Sequence, residues 1–175
     1  MPFEEILTHV ESLLAPFTVG AVRREDRRVD VVVKREDLCP AVKALVDARW
    51  GYLITITGLD LPWPKAAPKP AAAVTTATAA AAEAGPMEDK LEVLYHFTEG
   101  PVVATLRVTV PYTDARVPTI CPLVPTATLY EREIQEMFGI TVEGTPVSER
   151  FVLPDDWPDG VYPLRKSFKG LAQNA

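Results

Sequence analysis

The sequence predicts an α+β domain in two layers, helices on a mixed, mostly antiparallel sheet, with an extended C-terminal arm. Three observations lead there. Apolar residues recur at helical spacing near both ends of the first 144 positions, they alternate with period two in between, and a proline-rich but strongly apolar stretch closes the chain.

The first helix is marked by Phe3, Ile6, Leu7, Val10, Leu13 and Leu14, which put one apolar stripe on one face until Pro16 stops it. Two short strands follow over residues 17–22 and 29–33, joined by a charged turn at 23–28. Val29, Val31 and Val33 alternate as a sheet with one buried face requires. A second helix is expected over residues 38–50, with Leu38, Val42, Leu45 and Val46 inward and Asp37 as its cap. Residues 52–61 read as the third strand.

Residues 62–86 break the pattern. Prolines, lysines, alanines and threonines dominate, with little to bury beyond Trp63 and Val74, so this reads as a low-complexity insertion between two strands. Alternation then resumes. Leu91, Val93, Tyr95 and Phe97 share one face, Glu99-Gly100-Pro101 turns the chain, and Val102, Ala104, Leu106, Val108 and Val110 share the next. Pro111, Pro118, Pro122 and Pro125 predict irregular chain. A last helix is expected after Thr128, which with Glu131 has the spacing of a capping box. Tyr130, Ile134, Met137 and Phe138 line its apolar side, and Gly139 stands where a left-handed residue ends a helix. Within it Arg132 has the spacing to pair with Glu136, and Glu133, at the edge of the apolar side, calls for a partner cation.

Two regions follow: a domain over residues 1–144 and an arm over 145–175. In the arm Pro146, Pro154, Pro158 and Pro163 prevent a helix or an internal strand. Phe151, Val152, Leu153, Trp157, Val161, Tyr162, Leu164 and Phe168 are nevertheless large and apolar. Burying each is worth roughly 1.5–3 kcal/mol, so an arm free in water would be costly to solubility. Either it folds back over its own domain or it lies along another protein.

Composition narrows the function. At 175 residues, 47% apolar and 24% charged, the chain can bury a real core. A net charge of −6 argues against nucleic acid or an anionic membrane surface as the main partner. The first residues carry acids where a secretory signal needs bases, and no stretch approaches the roughly 20 apolar residues that span a bilayer. Membrane association is therefore expected only through partners. Cys39 and Cys121 lie far apart without a motif and read as small buried residues. His9 and His96 have no cysteine or carboxylate at ligand spacing, and neither a phosphate loop nor an iron–sulfur cysteine pattern is present. No cofactor, metal or catalytic residue is expected.

Three ordered blocks carry a resemblance: Tyr130-Glu131-Arg132-Glu133-Ile134-Gln135-Glu136-Met137-Phe138-Gly139-Ile140, then Val152-Leu153-Pro154-Asp155-Asp156-Trp157, then Pro163-Leu164-Arg165-Lys166. Together they resemble the 30 kDa subunit family of NADH:quinone oxidoreductase (respiratory complex I) and its relatives in energy-converting membrane-bound nickel–iron hydrogenases. The resemblance implies an α+β domain with an extended arm and no redox centre. It implies a scaffold on the cytoplasmic side of the membrane, packed against the large subunit that carries the quinone or nickel–iron site and near an iron–sulfur subunit. Glu131, Arg132, Glu133 and Gly139 match the helix motif. Leu153, Pro154, Trp157, Pro163, Leu164, Arg165 and Lys166 match the arm motif, with Arg150 and Tyr162 beside it.

The departures point to a branch. Leu129 stands where NADH-linked members usually have tryptophan, and Gly144-Thr145-Pro146-Val147-Ser148-Glu149-Arg150 keeps only the glycine, the proline and the last arginine of their next block. The run from Asp156 to Pro163 is more similar to the hydrogenase-type relatives. The alternatives are the 30 kDa subunit of an NADH:quinone oxidoreductase and a stand-alone module that closes its arm over its own core.

Overall fold

The computed structural model describes residues 2–62, 89–147 and 149–171. All but the first residue of the expected 62–86 insertion lies outside these. Among the described residues seven strands and three α-helices follow in the order α1 (Phe3–Leu14), β1 (Thr18–Glu25), β2 (Arg28–Val33), α2 (Leu38–Asp47), β3 (Tyr52–Leu61), β4 (Lys90–Glu99), β5 (Val102–Pro111), β6 (Arg116–Pro118), α3 (Ala127–Phe138) and β7 (Thr141–Glu143).

Five strands form the main sheet, in the order β1-β2-β5-β4-β3. Only β2 and β5 run parallel, so the sheet is mixed and mostly antiparallel. Register explains the single core. Val31 lies opposite Leu106, Leu106 opposite Tyr95, and Tyr95 opposite Ile56, so the inward residues of four strands form one row. Because side chains alternate along a strand, rows two residues away repeat it: Val29, Ala104 and Phe97, then Val108, Val93 and Gly58. Ile6, Leu7, Val10 and Leu14 of α1 and Leu38, Ala41, Val42 and Leu45 of α2 complete this core.

The opposite sheet face is polar and cross-linked. Arg107 of β5 makes a two-point contact with Glu92 of β4 (2.9 and 2.5 Å) and reaches Asp30 of β2 at 2.8 Å. His96 Nδ1 lies 3.0 Å from Thr105 Oγ1. This ladder ties the three central strands together, beside Leu94 and Val103 on the same face.

Several expected boundaries shift. The turn between β1 and β2 shrinks to Asp26 and Arg27, because Arg23 is drawn into β1 by ion pairs to Glu4 and Glu11 on α1. The second helix ends at Asp47 and leaves Val46 exposed; Arg49 and Gly51 then turn with φ of 52° and 60°. Asp37 makes no side-chain cap, since a 3-10 turn over Arg35–Asp37 already feeds the helix. The proline-rich stretch is also not wholly irregular. β6 pairs in parallel with β7, joining Val117 to Val142 across α3.

Candidate functional site

α3 and the arm form one unit, and the polar residues of the helix motif take unexpected roles in it. The helix starts at Ala127, so Thr128 and Glu131 lie inside it and no capping box forms. Glu131 is instead 1% exposed. Its carboxylate accepts from Thr119 Oγ1 at 2.7 Å, from the backbone N–H of Ile120 at 2.8 Å and from the Cys121 thiol at 3.1 Å. A buried carboxylate is tolerated only when its oxygens are well hydrogen-bonded, and here three donors from one bend of chain do this. Glu131 thereby nails residues 119–121 to α3. Burial pushes the Cys121 thiol up, and the Glu131 carboxylate adds to this. Burial and the same carboxylate also raise Cys39, whose thiol faces the Thr119 carbonyl at 3.5 Å.

Arg132 and Glu136 do not pair with each other. Both turn to the arm. Arg132 donates to the carbonyls of Glu149 (2.9 Å) and Arg150 (2.8 Å), and its guanidinium lies 4.9 Å from the centre of the Phe151 ring. Glu136 accepts from three consecutive backbone N–H groups, those of Phe151, Val152 and Leu153 (2.5, 2.9 and 2.7 Å). One turn of helix thus satisfies the backbone of five arm residues, which explains how a proline-rich chain without a ladder can stay in place. Glu133 points away. It is exposed, and its side chain has no ion pair or hydrogen bond among the described residues.

Further along, the arm folds on itself and then caps the helix. Arg150 donates to the Pro154 and Asp155 carbonyls (3.0 Å each) and pairs with Asp159 at 2.6 Å. Trp157 donates to the Val161 carbonyl at 2.8 Å and rests against Phe168, so it closes a loop of the arm itself. Gly139 ends α3 at φ 66°, and the Tyr162 ring lies where a Cβ would stand. Past half-buried Pro163, the Leu164 N–H donates to the Met137 carbonyl (3.2 Å) and Arg165 Nε to that of Phe138 (2.7 Å). The last carbonyls of a helix lack intrahelical partners and carry partial negative charge, so a cation there is doubly favourable. Arg165 is also flanked by the rings of Tyr112 (4.4 Å) and Tyr162 (5.1 Å).

The arm thus folds back along its own domain, but mainly through polar contacts. Leu153 packs against the core, whereas Phe151 and Val152 are each 51% exposed and Leu164 53%. Leu129 on α3 is exposed too. Lys166 donates only its backbone N–H, to Asp60 at 2.6 Å. Asp60, Tyr112 and the arm-binding role of Glu136 were not singled out by sequence. Asp60 alone had a legible signal, being a charged residue in phase with Ile56 on the inward side of β3.

Among the described residues, no group of three or more His, Cys, Asp and Glu is placed to hold a metal ion, and no helix is long and apolar enough to cross a membrane. What the arrangement offers is grip. The Glu136 carboxylate is spent on backbone amides and that of Glu131 on an amide, a hydroxyl and a thiol, and both thiols are held towards their protonated form.

The comparisons with known proteins agree with this architecture. The family model of the respiratory-chain NADH dehydrogenase 30 kDa subunit matches residues 31–174, and the chain belongs to that family. Among curated relatives, the C subunit of NADH-quinone oxidoreductase from a Nocardioides species is 30% identical over 141 residues, 78% of this chain and 47% of the relative. Formate hydrogenlyase subunit 5 of Escherichia coli is 48% identical over 62 residues, covering 35% of this chain and 11% of that protein. The membrane-bound hydrogenase subunit beta of Pyrococcus furiosus is 38% identical over 82 residues, 46% of this chain and 47% of the relative. The chain therefore spans about half of these curated relatives or less. Among solved structures, a chain of the archaeal membrane-bound sulfane sulfur reductase superposes with a TM-score of 0.67 at 24% identity, over 98% of this chain and 88% of that one. A trypsin-resistant fragment of Nqo5 gives 0.54 at 24% identity, over 84% and 99%. Both share the fold.

Proposed function

We propose that this chain is a non-catalytic scaffold subunit in the peripheral, cytoplasmic arm of a complex-I-like membrane redox enzyme. In this reading it holds no cofactor of its own, reaches the membrane only through other subunits, and packs against the large subunit bearing the quinone or nickel–iron site, next to an iron–sulfur subunit. One observation carries this. Residues 149–153 and Leu164 of the arm are fixed to α3 by their backbone, yet Phe151, Val152 and Leu164 face solvent about half exposed. A segment held rigid with large apolar groups outward has the form of a preorganised interface, where ordering costs are already met. The family-motif residues Arg150, Leu153, Pro154, Trp157, Tyr162 and Pro163 shape that segment, and the free side chains of Glu133 and Lys166 supply charges at its rim.

The hydrogenase branch is favoured by the run from Asp156 to Pro163 and by the 48% identity to formate hydrogenlyase subunit 5. The NADH-linked branch is supported by the longer match to the NADH-quinone oxidoreductase relative. Purification of the tagged chain from detergent-solubilised native membranes tests both. A co-purifying large subunit with stoichiometric nickel and hydrogen evolution identifies the first branch, and flavin with NADH oxidation the second. A chain recovered alone from membranes that hold such an enzyme would contradict the scaffold role.

A further inference from the structure

Asp60 is an anomaly in the core layer. It shares the inward side of β3 with Ile56 and Gly58, lies opposite Leu91, and is 5% exposed. A carboxylate in such a place needs donors or it costs several kcal/mol. It has two. One is the Tyr112 hydroxyl, from the turn after β5, and the other is the backbone N–H of Lys166 at 2.6 Å, 106 residues away in the arm. The neighbouring Arg165 lies over the same Tyr112 ring at 4.4 Å while it donates to the end of α3. Among the described residues the domain gives Asp60 one hydroxyl; the arm brings the second donor and the cation beside it.

We propose that Asp60 is a latch that seats the arm on the domain before any partner arrives. It acts through the Lys166 N–H and Tyr112, which makes it a positioning residue for the docking segment. Burial and the Asp60 carboxylate hold the Tyr112 phenol far above its usual range, so this hydroxyl stays a donor at any working pH. The latch stands on the free chain's own geometry; that it serves docking rests on the proposed scaffold role.

Hydrogen exchange on the full chain tests it without a partner. In the wild type the amides of Leu164, Arg165, Lys166 and Phe168, within residues 162–168, should be protected. Asp60→Asn keeps the shape but removes the charge, and should speed exchange there by about tenfold or more while β4 and β5 keep their protection. Lys166→Pro deletes the donated N–H, and Lys166→Ala, which keeps the N–H and removes only the side chain, is its control: the first should release the same segment and the second should leave it seated. Lys169→Pro, which removes no hydrogen bond among the described contacts, should leave it seated. An arm that exchanges freely in the wild type overturns the latch, as does unchanged protection in Asp60→Asn. Should Asp60→Asn fail to fold, Lys166→Pro decides: protection equal to wild type overturns it. Assembly is read separately, by retention of a large subunit on the wild-type chain. A seated arm with no retained partner refutes the scaffold role and leaves the latch standing.

Discussion

Glu131 shows how one side chain changes meaning between sequence and structure. The threonine-x-x-glutamate spacing at Thr128 is a helix-start pattern, but here it falls inside α3 and the glutamate is used across the fold. A local motif cannot reveal that three donors from residues 119–121 will converge on it. Glu131→Ala should therefore destabilise by about 3 kcal/mol, because it strands the buried Ile120 N–H and the Thr119 hydroxyl together. Chemical denaturation of the two proteins measures this, with no change expected in overall secondary structure at low denaturant. The same carboxylate accepts from the Cys121 thiol. Burial and Glu131 raise that thiol, so less thiolate exists at any given pH. Iodoacetamide at pH 8 should label native Cys121 at least tenfold more slowly than the unfolded chain, and mass spectrometry of timed samples gives the ratio.

At the scale of elements, local periodicity carried furthest. The bounds of β3 and the β4–β5 hairpin are legible in the alternation of apolar residues, and Gly139 announces the end of α3. Long-range pairing left no such trace. β6 and β7 are three residues each and meet in parallel across a helix, so neither segment alone has a period to read. Arg132 and Glu136 have ideal spacing for a pair on one helix, yet the arm offers them five backbone groups, a stronger claim than an exposed ion pair worth a few tenths of a kcal/mol. The contact of α3 with β3 is equally tight and equally silent. The Phe138 ring occupies the space where Gly58 would carry a Cβ. Gly58→Ala should displace Phe138 and cost about 1–3 kcal/mol. Thermal melting reads the loss, and added exchange at α3 amides distinguishes a shifted helix from general loosening.

For the whole molecule, sequence posed a choice between an arm folded over its own domain and one laid along a partner. The structure gives the arm an inner and an outer side. Its backbone groups and Arg165 face inward, onto Arg132 and Glu136 of α3, the end of that helix and Asp60 of β3, while Phe151, Val152 and Leu164 face outward. Trp157, a natural interface anchor by its size, spends its indole N–H within the arm, so the proposed docking energy is assigned to the outward trio. A double substitution tests that assignment. A tagged chain carrying Val152→Asp and Leu164→Asp would be expressed with the native complex and compared with wild type for large-subunit retention. Neither side chain is buried, so circular dichroism and the protection of residues 162–168 should be unchanged. The seated, folded variant is expected to lose the large subunit almost completely. Full retention by that variant would contradict the scaffold role of this face.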